Sequence, residues 1–173
     1  MKNLILLGLF LSFAFVSCGT DKKESVNETS AEVKESIKYS VVLEAIYEKD
    51  DSLVVFYQKD KYFKYENPIS QVIKGSPMPQ KITINIPKGI DVENIKITAS
   101  TNKEQPHVTI NNVSILKNDS LVIDGSQGKH SEYFLTDETF SWDVEKSRYK
   151  LDHNKQYPPS LVGNDLLLSL LEK

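Results

Sequence analysis

The chain has one cysteine, one arginine, one tryptophan and three histidines in 173 residues, which removes the usual material of most catalytic sites. The body beyond Cys18 carries no thiol, so neither an intrachain disulfide nor a thiolate nucleophile is available to it. His107, His130 and His153 lie far apart and lack metal-ligand spacing, so they read as surface histidines. Arg148 stands alone among lysines, which is poor material for bidentate carboxylate or phosphate clamps. No Gly-x-Ser-x-Gly elbow and no His-Glu-x-x-His occurs, and "GSQGKHS", Gly125 to Ser131, lacks the spacing of a phosphate loop and reads as a connection. Glu132, Asp137 and Glu138 are near in sequence, but a glycosidase needs a set carboxylate separation that spacing does not supply. No catalytic residue, metal or cofactor is therefore assigned, and the chain is expected not to be an enzyme. A net charge of −3 argues against nucleic acid as a partner.

Long apolar runs are also missing. The longest, "LILLGLFLSFAFV" from Leu4 to Val16, falls short of the about 20 residues of a membrane-spanning helix and suits a signal-peptide core after the basic Lys2. It ends in "FVSC", Phe15 to Cys18, with a small residue before the cysteine. This resembles the lipobox of bacterial lipoproteins, with Phe15 where that pattern usually has Leu. The resemblance implies a signal peptide over residues 1–17, cleavage before Cys18, and lipidation of Cys18 with palmitate-type acyl chains. A single chain would bind a membrane only marginally, and several hold it permanently. Gly19 is compatible with transfer to the outer membrane. Residues 18–37, "CGTDKKESVNETSAEVKESI", lack aromatics and are mostly charged or small, which predicts a lipidated cysteine followed by a flexible tether.

From Lys38 the composition changes to short alternating runs separated by Asp, Asn, Gly and Pro. "YSVVLEAIYE" sets Val41, Leu43, Ala45 and Tyr47 against Val42, Glu44, Ile46 and Glu48. "QKITINIP" sets Ile82, Ile84 and Ile86 against Lys81, Thr83 and Asn85. Period two means strands with one buried face. Residues 38–173 are predicted to form one all-β domain, an antiparallel β-sandwich of jelly-roll type. "PPSLVGNDLLLSLLEK" breaks the pattern. Asn164 suits an N-cap, Asp165 a first turn, and Leu166, Leu167, Leu170 and Leu171 recur at helical spacing, which predicts one short C-terminal helix packed on the sandwich.

A near-repeat, "KDDSLVV" at Lys49–Val55 and "KNDSLVI" at Lys117–Ile123, reads as one hairpin turn used twice, because Asp and Asn tolerate left-handed backbone angles. On that basis Asn should be tolerated at Asp51 and at Asp119. Calcium binding by Asp50, Asp51 and Asp119 is the competing idea, but the acidic spacing of a calcium loop is absent. "DSL" in each copy resembles the three-residue O-glycosylation signal of exported Bacteroidetes proteins, which makes Ser52 and Ser120 candidate modification sites.

"VVFYQKDKYFKYENPI" carries the densest aromatics. Alternation predicts Phe56 and Phe63 in the core and Tyr57, Tyr62 and Tyr65 outward or at the rim; Trp142 in "FSWDVEK" also reads as core. Exposed rings stack on sugar faces, and Asp60 and Glu66 are placed to orient hydroxyls. From "DDSLVVFYQ", through "FKYENPISQVIKGSPMPQKITINIPKGIDVENIKITAS", to "HVTINNVSI", the order of features is similar to an accessory β-sandwich domain of Bacteroidetes polysaccharide-related membrane and surface proteins. An aspartate-led strand, an aromatic pair, a Glu-Asn step, a Gly-containing loop and a Gln-x-Ile-x-Ile strand carry the resemblance. The Asp-Pro-Gly that often follows is replaced here by "ASTNKEQ", Ala99 to Gln105. The resemblance implies a carbohydrate-binding-module-like envelope lipoprotein; the residues themselves offer Tyr57, Tyr62 or Tyr65 for stacking on a sugar and Asp60 or Glu66 for orienting it, or else ordinary amphipathic packing with each hydroxyl at the surface. The alternative is an assembly accessory that binds another envelope protein.

Overall fold

The computed structural model describes residues 36–172, so Cys18, the signal segment and nearly all of the tether lie outside the described residues. Ile37, placed by the sequence in the tether, is half-buried against the core, and its carbonyl accepts from the Gly89 N–H at 2.8 Å. The remainder is an antiparallel β-sandwich with a short C-terminal helix, as the alternation predicted.

The strands are β1 (Tyr39–Tyr47), β2 (Asp51–Lys59), β3 (Tyr62–Phe63), β4 (Ile69–Ile73), β5 (Ser76–Asn85), β6 (Asn94–Thr98), β7 (His107–Lys117), β8 (Ser120–Ile123), β9 (Phe134–Thr136), β10 (Phe140–Asp143), β11 (Arg148–Leu151) and β12 (Ser160–Gly163). Helix α1 (His130–Tyr133) precedes β9, and α2 (Asp165–Leu171) closes the chain. One sheet runs β10-β11-β7-β1-β5, with β8 also on β7. The other runs β3-β2-β6-β12-β9, with β4 also on β2. The core lies between them. Val41, Leu43, Ala45 and Tyr47 of β1 and Ile82 and Ile84 of β5 meet Leu53, Val55, Ile95 and Ile97 of the opposite sheet.

The near-repeat divides into two different structures. Asn118 and Asp119 have φ of 51° and 62° and form the two-residue β7–β8 hairpin, with positive φ at both central positions. The other copy is not a hairpin, because β1 and β2 belong to different sheets. "KDD" carries the chain from one sheet to the other beside the second crossing, at Lys74-Gly75. Asp50 accepts from the Gly75 N–H at 2.8 Å and from Lys74 Nζ at 2.6 Å. A Cβ on Gly75 would press into the Lys49 and Glu48 backbone, so glycine is needed for the two crossings to touch. The structural counterpart of the Asn118-Asp119 turn is Asp60-Lys61, with φ of 55° and 66°, which joins β2 to β3.

Asp51 is buried. It accepts from Ser100 Oγ at 2.6 Å, from the Thr101 and Asn102 N–H groups at 2.8 and 3.0 Å, and from the Ser52 N–H at 2.7 Å. "ASTNKEQ", which departs from the resembled domain, is thus the loop that this carboxylate organises. The inward Asp51 also sets the phase of β2. Asp51, Leu53, Val55 and Tyr57 point into the core, and Val54 and Phe56 face outward. The expectation of Phe56 inside and Tyr57 outside is therefore reversed. "LVVFY" is apolar at consecutive positions, so its alternation alone does not choose a face.

Candidate functional site

The structure separates the sequence-predicted set. Tyr57 is 6% exposed and belongs to the core, so it is not available to a ligand. Tyr62 and Tyr65 are 73% and 55% exposed, at the β2–β3 corner. Tyr65 packs on Phe56 at 5.2 Å between ring centroids and on Phe63 at 5.9 Å, and Lys96 lies 5.2 Å from its ring centre. Phe63 is half-buried beside Tyr65 instead of filling the core. Asp60 sits in the turn; its N–H and that of Lys61 donate to the two oxygens of Glu93, each at 2.8 Å. Glu66 is exposed in the loop that follows. The corner offers aromatic surface on rings tilted against one another. Ser120 is exposed beside the β7–β8 turn, whereas Ser52 is half-buried within β2 opposite Val72 and is not at a turn tip.

A second aromatic surface lies on the β10–β11 hairpin, where core placement was expected. Trp142 is 51% exposed. It stands directly opposite Tyr149 across the strand pair, with ring centroids 4.9 Å apart at 71°. Tyr149 is itself held by Phe140 at 5.5 Å and by the His130 ring at 6.1 Å, with the Tyr149 hydroxyl 3.2 Å from His130 Nε2. Edge-on support of this kind fixes the indole while leaving half of it in solvent. Beside it lies an open cleft of about 540 Å³ lined by His107, Trp142, Asp143, Val144, Arg148 and Lys150, among others. That volume is within the range of small-ligand sites.

The polar groups of the cleft are mutually positioned. Arg148 donates to Glu48 Oε1 at 2.5 Å, and its Nε lies 3.8 Å from Asp143 Oδ2. Lys150 Nζ is 3.6 Å from the same Asp143 oxygen. Burial would raise the Asp143 carboxyl, but the Lys146 backbone N–H and the Lys150 and Arg148 charges together hold it below the usual carboxylate range. His107 Nδ1 is 3.6 Å from Glu48, yet desolvation and the neighbouring Arg148 lower its pKa, so the ring is neutral at pH 7. Among the described residues no group of His, Cys, Asp or Glu is disposed to hold a metal ion.

The signal for this site was composition and not periodicity. The only tryptophan and the only arginine fall in "SWDVEKSRYK", a window with five charged residues, on a short edge hairpin whose first strand buries Asp143. A four-residue strand carries too little alternation to reveal that phase.

His130 corrects the surface assignment of the histidines: it is 3% exposed. Its N–H donates to the Gly125 carbonyl, and a Cβ on Gly125 would meet the Val113 carbonyl and His130. Burial lowers its pKa from the ordinary 6.5. The unfolded chain therefore binds more protons below pH 6.5, so this contribution is full above that value and is lost as pH falls through the lower folded value. Thermal melts between pH 7 and 5.5 are expected to show a falling Tm, with a shallower slope for His130→Gln. An unchanged slope in the variant would assign the dependence to other groups; His107 contributes with the same sign.

The chain matches no protein-family model, no curated protein and no solved structure.

Proposed function

We propose that this protein is a non-catalytic glycan-binding module of the cell envelope, held to the outer membrane by lipid on Cys18, and that it takes its ligand on Trp142. The observation that carries this reading is the half-exposed indole propped by Tyr149 over a cleft lined with hydrogen-bonding groups. A sugar ring offers an apolar face to the indole and hydroxyls to Asp143, Lys150 and His107. Tyr62 and Tyr65, with Asp60 and Glu66, form the secondary candidate surface.

Because Trp142 is the only tryptophan, its emission is a direct readout. Glycan-array hits should perturb the fluorescence on titration, and Trp142→Ala should weaken binding about tenfold or more with little change in Tm. Binding that survives Trp142→Ala but is lost in a Tyr62→Ala, Tyr65→Ala double variant would move the site to the β2–β3 corner. An array without hits would favour the alternative, an assembly accessory for another envelope protein.

A further inference from the structure

Among the described residues β5 pairs with β1 alone, leaving its outer edge free over the longest such stretch in either sheet. The phase of that edge follows from one bond. The Ile86 N–H donates to the Tyr39 carbonyl at 2.9 Å, in the same register that sets Asn85 against Ser40 and Ile84 against Val41. Alternation then turns the N–H and C=O of Ile84 and Ile82 toward β1, and those of Asn85, Thr83 and Lys81 away from it. Pro79 lies in the irregularity where β5 shifts register against Ala45–Tyr47, Pro87 stands just past the end of the strand, and neither brings an N–H. The pairing-competent edge is thus one short window, bracketed by prolines and centred on Thr83. Prolines at such positions limit where another strand can add. The cleft between this edge and β4, about 410 Å³ with the exposed Val72 among its lining residues, leaves the window accessible.

The window is self-complementary. In a two-fold antiparallel pairing centred on Thr83, Thr83 faces Thr83, Lys81 faces Asn85 of the second copy, and Ile82 faces Ile84. Every outward N–H and C=O of the window finds a partner, no like charges oppose each other, and a Thr–Thr pair sits on the axis. The isoleucines of the two copies extend the inner face of one continuous sheet. We propose that this edge pairs with the same edge of a second copy of the chain, making a two-fold dimer through β5.

Sedimentation equilibrium of the full chain across a wide concentration range tests this. The wild type should show reversible monomer–dimer behaviour. Thr83→Lys sets two ammonium groups face to face at an exposed position and should weaken association on the order of tenfold without lowering Tm. Asn85→Asp should act oppositely, strengthening association at low salt through Lys81 of the second copy and losing that gain at high salt. Trp142→Ala should leave association unchanged. A wild type that stays monomeric, or a dimer indifferent to both edge substitutions, overturns the proposal.

Discussion

Asp51→Ala is expected to lower unfolding stability by about 3 kcal/mol or more, roughly 10 °C in Tm, one of the two strongest effects anticipated in this fold. The side chain is buried and accepts from Ser100 Oγ and from the backbone N–H groups of Ser52, Thr101 and Asn102. Alanine leaves the Ser52 and Thr101 N–H groups without an acceptor and reduces Ser100 Oγ and the Asn102 N–H to their longer bonds with each other's residue, at 3.2 and 3.3 Å, and each buried unpaired donor costs about 1–3 kcal/mol unless water reaches it. Asn at this position keeps one acceptor oxygen, and its amide can donate to Ser100 Oγ, so Asp51→Asn should cost less than half as much. Asp119→Asn should fall within about 0.5 kcal/mol of the wild type, because Asp119 is an exposed turn residue with φ of 62°, a conformation that Asn adopts readily. Urea denaturation of the three variants decides the matter. Equal, small losses at Asp51 and Asp119 would mean that both aspartates are turn residues and that the Ser100–Asn102 loop holds itself.

Leu167→Ala is expected to cost about 2–5 kcal/mol. Helix α2 has seven residues and is too short to persist in water by itself, since isolated helices below about 12–15 residues are marginal. Its start is secured by the Asn164 side chain, which accepts from the Leu166 and Leu167 N–H groups at 3.0 and 3.1 Å. Its hold on the sandwich comes from Leu167, 0% exposed, and Leu171, also buried. Leu170 is only half-buried and Leu166 is exposed, so the losses should rank Leu167 above Leu170 and Leu170 above Leu166. Gly163→Ala should be comparably damaging. Its Cβ would collide with Asn94 Oδ1 and with Leu167 itself, at the place where Asn94 Nδ2 donates to the Gly163 carbonyl at 3.0 Å. If Leu167→Ala melts like the wild type, α2 is not held by this contact.

Which of these features could be read from the residues depends on how local the physics is. The strands of the β1 and β5 type were legible because apolar and polar residues alternate cleanly in "YSVVLEAIYE" and "QKITINIP", and a period of two admits only an extended chain with one buried face. Helix α2 was legible for an equally local reason: Asn164 caps its own N–H groups, and the leucines recur at helical spacing. The all-β class follows from these elements, since they must bury their apolar faces against one another.

What the sequence left open was every choice made by a distant partner. Whether "KDDS" closes a hairpin or crosses between sheets is decided by Ser100, Thr101 and Asn102, some fifty residues away, which draw Asp51 inward. The same capture selects the face of β2, puts Tyr57 in the core and removes it from the predicted glycan-binding set. Trp142 is turned outward by the opposite circumstance: β10 is a short edge strand whose inward place goes to Asp143, held by Lys150 and Arg148. Alternation determines that a strand has two faces. Only the packing of one sheet on the other, and the hydrogen bonds available to a buried carboxylate, determines which face is inside.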